Sequence, residues 1–318
     1  DYFLYHIGNI TCGLHKVTVL QGGGYVSMSR KTEKKRRMSA GRILDTGMTY
    51  LILLAVAFVF FFPCLWLILA SFSKSGTIYS FDGFFPAGYS LVSFKRLFTD
   101  TALYNYPRWF ANTLFVAAGS CILGTFLVIL TAYTMSRFTF AARKPMMKIT
   151  MVLGMFPSFM GMIAVYLLMT QFNLTNHLWG LILIYSAGAP MGYLTQKGFF
   201  DTIPKAIDEA ARIDGATNFQ VFMKINLPLS RPIIVYTALS SFTWPWSDFI
   251  LPKLLLKEKN LYTVAVGLMS LDETEFARFA AGSVFIAVPI VLLYFFLVKD
   301  MVNGMAAGAV KGLSLIHI

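Results

Sequence analysis

The apolar stretches of this chain hold almost no groups able to do acid–base or nucleophilic chemistry. Its four histidines are His6, His15, His177 and His317, and none belongs to an HExxH pair. Its three cysteines, Cys12, Cys64 and Cys121, are scattered. They give neither a metal-ligand spacing nor an even-numbered disulfide framework. There is no GxxxxGK[ST] phosphate loop, so the usual backbone cradle for ATP is missing. A hydrolase working inside a bilayer would need its catalytic pair within the apolar segments, so an enzyme is not expected. Polar chemistry gathers instead in two places: Ile203 to Pro232, and Trp246-Ser247-Asp248-Phe249.

The first place has a strong local grammar. Thr202 followed by Ile203-Pro204 reads as an N-cap with proline in the first helical turn. Asp201, Asp208 and Glu209 lie where a helix dipole favours acids. Ile203, Ile207, Ala210 and Ala211 form an apolar stripe at helical spacing. Gly215 can supply a left-handed stop. Thr217 and Gln220 then read as a capping box for a second short helix carrying Phe219, Phe222 and Ile225, and Pro228 and Pro232 close the unit. The expectation is a helical hairpin with small residues outward. It would either seat in a partner's groove or lie as an amphipathic hairpin on the membrane surface.

The second place centres on Asp248, the single acid in or near the deep part of an apolar segment. Aromatic faces beside a carboxylate suit sugar hydroxyls, so Trp246, Asp248 and Phe249 are candidates for a gate or sugar pathway. The plainer reading is that Asp248 caps the segment at the interface and contacts another helix. Asn112, Thr113, Thr131, Thr150, Ser158, Thr170, Ser186, Thr237, Ser240, Ser241 and Thr243 could line a polar route or serve helix packing.

The elements that must position these residues are transmembrane helices. Of 318 residues, 57% are hydrophobic and 13% charged. Soluble domains are nearer 45–50% and about 25%. Six stretches are apolar enough for the ~30 Å hydrocarbon core: about 48–71, 110–134, 149–169, 177–195, 230–250 and 278–298. Pro157, Pro190, Pro245 and Pro289 interrupt the last four, as kinks or as cavity-lining breaks. The fold class is therefore all-α and polytopic. The net charge of +12 reads as topology and attraction to membrane lipid, not nucleic-acid binding. The basic cluster from Lys31 to Arg42 is the positive-inside signal of the first span. The 137–148 loop carries Arg137, Arg143, Lys144 and Lys148 without an acid, so it reads as cytoplasmic. Six spans then put both termini and the hairpin in the cytoplasm. The 72–109 stretch, rich in Tyr, Phe, Gly and Pro, reads as an aromatic belt at the outer mouth. Residues 1–27 read as a non-native or disordered upstream segment, with Met28 as the natural start, and 313–318 as a run-on tail.

Glu209-Ala210-Ala211, then Gly215, then Ile225-x-Leu227-Pro228, resembles the EAA loop of ABC importer permeases. Tyr133-x-x-Ser136-Arg137-Phe138 resembles the family's AYxxSRF boundary. Trp246-Ser247-Asp248-Phe249 resembles its WNDF segment, with serine replacing the usual asparagine. The tail from Asn303 to Gly312 resembles that of MalG-like carbohydrate permeases. The resemblance covers most of 28–312: a basic arm over 28–47, then an importer transmembrane domain over 48–312 with its EAA loop at 203–232. It implies a bacterial inner-membrane protein importing oligosaccharides, of the malto- or galacto-oligosaccharide type. It implies a second permease forming a heterodimer, a cytoplasmic ABC ATPase dimer that uses ATP and Mg, and an extracytoplasmic sugar-binding protein. The chain itself would bind no cofactor and no metal. Glu209, Ala210, Ala211, Gly215, Ile225, Leu227 and Pro228 would couple to the ATPase. The alternative is a secondary transporter or channel driven by an ion gradient. That reading wants buried carboxylates and internal repeats, neither of which is evident here.

Overall fold

The computed structural model describes residues 40–74, 77, 81–82, 85–86, 88–155, 157–187 and 190–314. The expectations for residues 1–27, for the basic arm up to residue 39 and for the tail at 315–318 fall outside them. Residues 1–57 and 58–318 form two units. The described part of the first unit belongs to helix α1 (Ala40–Ser71), which begins inside the expected arm.

The second unit is almost wholly helical. A two-residue strand pair, β1 (Phe81–Asp82) and β2 (Phe85–Pro86), is antiparallel with Phe81 opposite Pro86. Then follow α2 (Val92–Thr99), α3 (Tyr106–Arg137), α4 (Arg143–Gly154) and α5 (Ser158–Gln171). Next come α6 (Leu178–Ser186), α7 (Pro190–Thr202), α8 (Lys205–Ile213), α9 (Asn218–Val221) and α10 (Leu227–Leu229). The chain ends with α11 (Arg231–Ser247), α12 (Ile250–Leu255), α13 (Val264–Met269) and α14 (Phe276–Ser314).

Among the described residues, three helices are long and apolar enough to cross a membrane: Thr46–Ser71, Tyr106–Arg137 and Glu273–Lys299. The expected third span is a pair, Arg143–Gly154 and Phe159–Gln171, bent by 109°. Pro157 explains the break. It precedes α5 with ψ 124°, outside helical range, and proline disfavours helix in the residue before it. The expected fourth span is two shorter helices, α6 and α7, with Pro190 opening the second. The fifth is the 17-residue α11. Pro245 and Pro289 sit inside helices that continue past them.

Helix α3 is the axis of this unit, packing against α6, α7, α11 and α13. Its first turns hold the long connection after α12 in place. Trp109 Nε1 donates to the Lys259 carbonyl at 2.8 Å, and Asn112 Nδ2 to those of Asn260 and Tyr262 at 2.8 and 3.0 Å. Thr113 Oγ1 accepts from the Val264 N–H at 2.7 Å. Asn112 and Thr113 are therefore packing groups. The buried core around them joins Trp109, Leu181, Ile182, Trp246, Val264 and Leu268. Part of the 72–109 stretch forms an aromatic cluster with α14, Phe94 and Phe98 lying 5.8 and 5.2 Å from Phe285.

The core has no slack where α13 crosses α3. A Cβ on Gly267 would lie 2.0 Å from the Trp109 ring. Gly267→Ala is therefore expected to destabilise the protein by about 1–3 kcal/mol, the usual cost of overpacking. Thermal unfolding of the detergent-solubilised protein would measure it, and an unchanged midpoint would show the contact is not tight.

Candidate functional site

The hairpin forms between α7 and α11, but its register differs from the expected one at three points. Thr202 ends α7, its hydroxyl donating to the Phe199 carbonyl at 2.7 Å, and so does not cap α8. Pro204 precedes α8, without a side-chain cap. The chain also stays helical through Pro228: α9 runs into a π-helical turn, Phe222–Asn226, and then α10. Gly215 has φ 88°, the left-handed conformation glycine adopts without penalty. Thr217 and Gln220 form the capping box, Thr217 Oγ1 accepting from the Gln220 N–H and Gln220 Oε1 from the Thr217 N–H.

The side of α8 turned inward is marked by an acid, not by the apolar stripe. Ile207 and Ala210 are exposed and Ala211 is half-buried, whereas Asp208 is buried. Asp208 Oδ2 lies 2.9 Å from Arg137 Nε in an ion pair whose side chains are both only 3% exposed. Burying two charges is unfavourable unless hydrogen bonds offset the lost hydration, and most of the polar atoms here, though not Arg137 Nη1, have such a partner. Here Asn226 Nδ2 donates to Asp208 Oδ1 at 2.8 Å. Arg137 Nη2 donates to the Ile203 carbonyl at 3.0 Å and to Asn226 Oδ1 at 3.1 Å. One arginine at the end of α3 thus fastens both limbs of the hairpin and the corner before it.

The preceding residue fastens α7. Ser136 Oγ donates to Asp201 Oδ1 at 2.6 Å, and Lys197 donates to Asp201 Oδ2. Burial works against a charge on Asp201. The hydrogen bonds from Lys197 and Ser136, with the charges of Lys197 and Arg143, outweigh it and hold the carboxyl below its ordinary range. Beneath lies an apolar cluster in which Tyr133 meets Phe222 at 4.5 Å and Phe200 at 5.7 Å. Hence α3, α7, α8 and the π-helical turn meet at Tyr133, Ser136 and Arg137.

The outer face of the hairpin is different. Glu209, Gly215 and Pro228 are exposed and Ile225 is half-buried, whereas Leu227 packs inward against the Tyr133 and Phe200 cluster. Ile213 and Phe219 are 86% and 70% exposed, one on each limb. Two large apolar side chains thus stand exposed on the hairpin.

At the second place, the three named residues sit in different settings. Trp246 is buried in the core, 5.1 Å from Phe110. Asp248 follows the end of α11. It accepts from the Tyr185 hydroxyl at 2.8 Å and from the Leu251 N–H at 3.3 Å. Those bonds are a cap and a contact with α6. Phe249 is half-buried against the same core.

The helix dipole accounts for Asp208 near a helix start but does not name its partner. The available signal was Arg137 itself, a cation closing a 32-residue apolar helix. If such a charge is buried, it needs a counter-charge from elsewhere in the chain.

Residues 124–303 match the family model described as "Binding-protein-dependent transport system inner membrane component". The maltodextrin transport system permease protein MalD of Streptococcus pneumoniae is 37% identical over 290 residues, covering 90% of this chain and all of the relative. MdxG, a maltodextrin permease protein of Bacillus subtilis, is 38% identical, covering 86% of this chain and 99% of the relative. The galactooligosaccharides permease protein GanQ of the same organism is 35% identical, with the same two coverages. A solved bacterial ABC transporter involved in alginate import shares the fold. Its TM-score is 0.70 at 19% identity, over 82% of this chain and 98% of that one. These relatives are transport permeases, and an ion-gradient-driven carrier finds no support among them. With its apolar helices and its matched core, the chain is a multi-pass membrane protein that belongs to the family of binding-protein-dependent transport system inner membrane components.

Proposed function

We propose that this chain is a permease subunit of an ATP-driven oligosaccharide importer, moved through its 203–232 hairpin. The observation that carries the reading is the two-sided hairpin. Its inner side is tied to α3 by the buried Arg137–Asp208 pair, and its outer side presents Ile213 and Phe219. Such a hairpin passes a rigid displacement from a docked partner to α3, α7 and α11. The substrate class rests on the maltodextrin and galactooligosaccharide relatives.

In this reading the partner is a cytoplasmic ABC ATPase dimer, which consumes ATP and Mg, while this chain binds no cofactor. A second permease completes a heterodimer, and an extracytoplasmic binding protein delivers sugar. The hairpin and both termini lie in the cytoplasm. Closure of the ATPase dimer carries the hairpins inward, and the cavity between the permeases turns outward; hydrolysis resets it. Glu209 makes a polar contact with the ATPase, and Ala210 and Ala211 allow close approach. The test is purification of this chain from its native membranes in mild detergent. Co-purifying chains are identified by mass and ATP hydrolysis is assayed. A nucleotide-binding subunit and a second permease recovered together support the reading. A folded chain that comes alone and shows no ATPase after reconstitution overturns it.

A further inference from the structure

Between α3, α6, α7 and α11 lies a cavity of about 520 Å³ that holds none of Trp246, Ser247, Asp248 and Phe249 but is lined by Thr237, Ser240 and Ser241, three of the polar-route candidates. Its volume falls within the roughly 300–1,000 Å³ of small-ligand sites. Three aromatic side chains line it, Tyr185, Tyr236 and Trp244, among neutral hydrogen-bonding groups that include Gln196, Ser240 and Ser241. Tyr236 and Trp244 are 48% and 60% exposed, so their rings are free to take a ligand face. Gln196 is buried; its Nε2 donates to Thr237 Oγ1, while Oε1 has no hydrogen-bond partner. Buried polar atoms are rarely left so.

We infer that this cavity is a contact site for an uncharged oligosaccharide within this subunit. Pyranose rings carry C–H faces that pack on aromatic rings and hydroxyls that both donate and accept, which matches the lining. Charge narrows the class. The lining has no lysine, arginine or histidine. Asp248, a carboxylate hydrogen-bonded to the lining residue Tyr185, has both oxygens engaged. A uronate would bring negative charge to a site without a counter-ion and beside an existing carboxylate, which is costly in an apolar setting. The site therefore favours neutral sugars over acidic ones.

The inference rests on the importer reading, and the two can fail separately. The complete importer is reconstituted in proteoliposomes with its binding protein. Uptake is followed with maltotetraose and β-1,4-galactotetraose as neutral probes and tetragalacturonate as the acidic one. For the neutral probe that the wild type carries, Trp244→Ala and Tyr236→Ala are expected to lower uptake at least about tenfold, while ATPase stimulation by loaded binding protein stays within about twofold. Both side chains are exposed in this chain, so the substitutions leave its core intact. Unchanged uptake in both variants overturns the site, as does loss of ATPase in parallel with uptake, which marks a structural role. Tetragalacturonate carried by the wild type as well as either neutral probe overturns the charge argument. A wild-type complex that neither hydrolyses ATP nor moves any probe overturns the importer reading, and this inference with it.

Discussion

Asp208→Ala should be among the most damaging single substitutions in the hairpin. It leaves the Arg137 guanidinium buried with no carboxylate, facing only the Ile203 carbonyl and the Asn226 amide oxygen. Removing one partner of a buried ion pair costs about 3–5 kcal/mol. The unfolding midpoint in detergent should fall accordingly, with uptake lost alongside it. A double-mutant cycle separates the pair from its surroundings. Arg137→Met combined with Asp208→Leu removes both charges, and swaps of that kind are often neutral or stabilising. The double variant should therefore recover much of the stability that Asp208→Ala loses. It should still transport poorly, because the directional link between α3 and the hairpin is gone. Additive losses would mean that Arg137 and Asp208 act independently, against the geometry.

Uptake should also collapse in Gly215→Pro and Ala211→Arg while the protein still inserts into the membrane. Gly215 has φ 88° and its N–H donates to the Arg212 carbonyl at 3.0 Å. Proline holds φ near −65° and has no N–H, so the turn between the limbs must rebuild. Ala211 is half-buried beside exposed Ala210. An arginine there either clashes with a closely seated partner or carries a charge into its groove. A loss of at least about a hundredfold in uptake corresponds to roughly 2.8 kcal/mol. Membrane extraction and protease protection check insertion. Normal uptake in both variants would end the docking role of the hairpin.

The hairpin's turns were legible in the sequence because they are local. Gly215 and the Thr217–Gln220 box are set within a few residues of one another, and the chain builds both. Three spans were legible for a similar reason, since length and hydropathy alone identify them. The 109° bend between α4 and α5 was not, because hydropathy carries no angle. The clamp was hidden by distance. Arg137 and Asn226 are 89 positions apart, and nothing in either neighbourhood names the other. The aromatic residues of α11 show a third limit. Trp244 and Trp246 are two positions apart, which on a helix turns them about 200° from each other. The motif drew attention to Trp246, which is buried in the core, whereas Trp244 lines the cavity.

The central claim is that the outer face of the hairpin is held by an ATPase, and a photo-crosslinking residue in place of Ile213 tests it most directly. Ile213 is 86% exposed at the end of α8. Phe295 on α14, 70% exposed in a stretch long and apolar enough to span the membrane, is the control. Irradiation of intact native membranes should join position 213 to a nucleotide-binding subunit, identified by peptide mass. The yield should change when ATP is added and position 295 should give no such adduct. A position 213 that reacts with lipid alone, in the presence of a functional ATPase subunit, would contradict the account and leave the hairpin as a membrane-surface element.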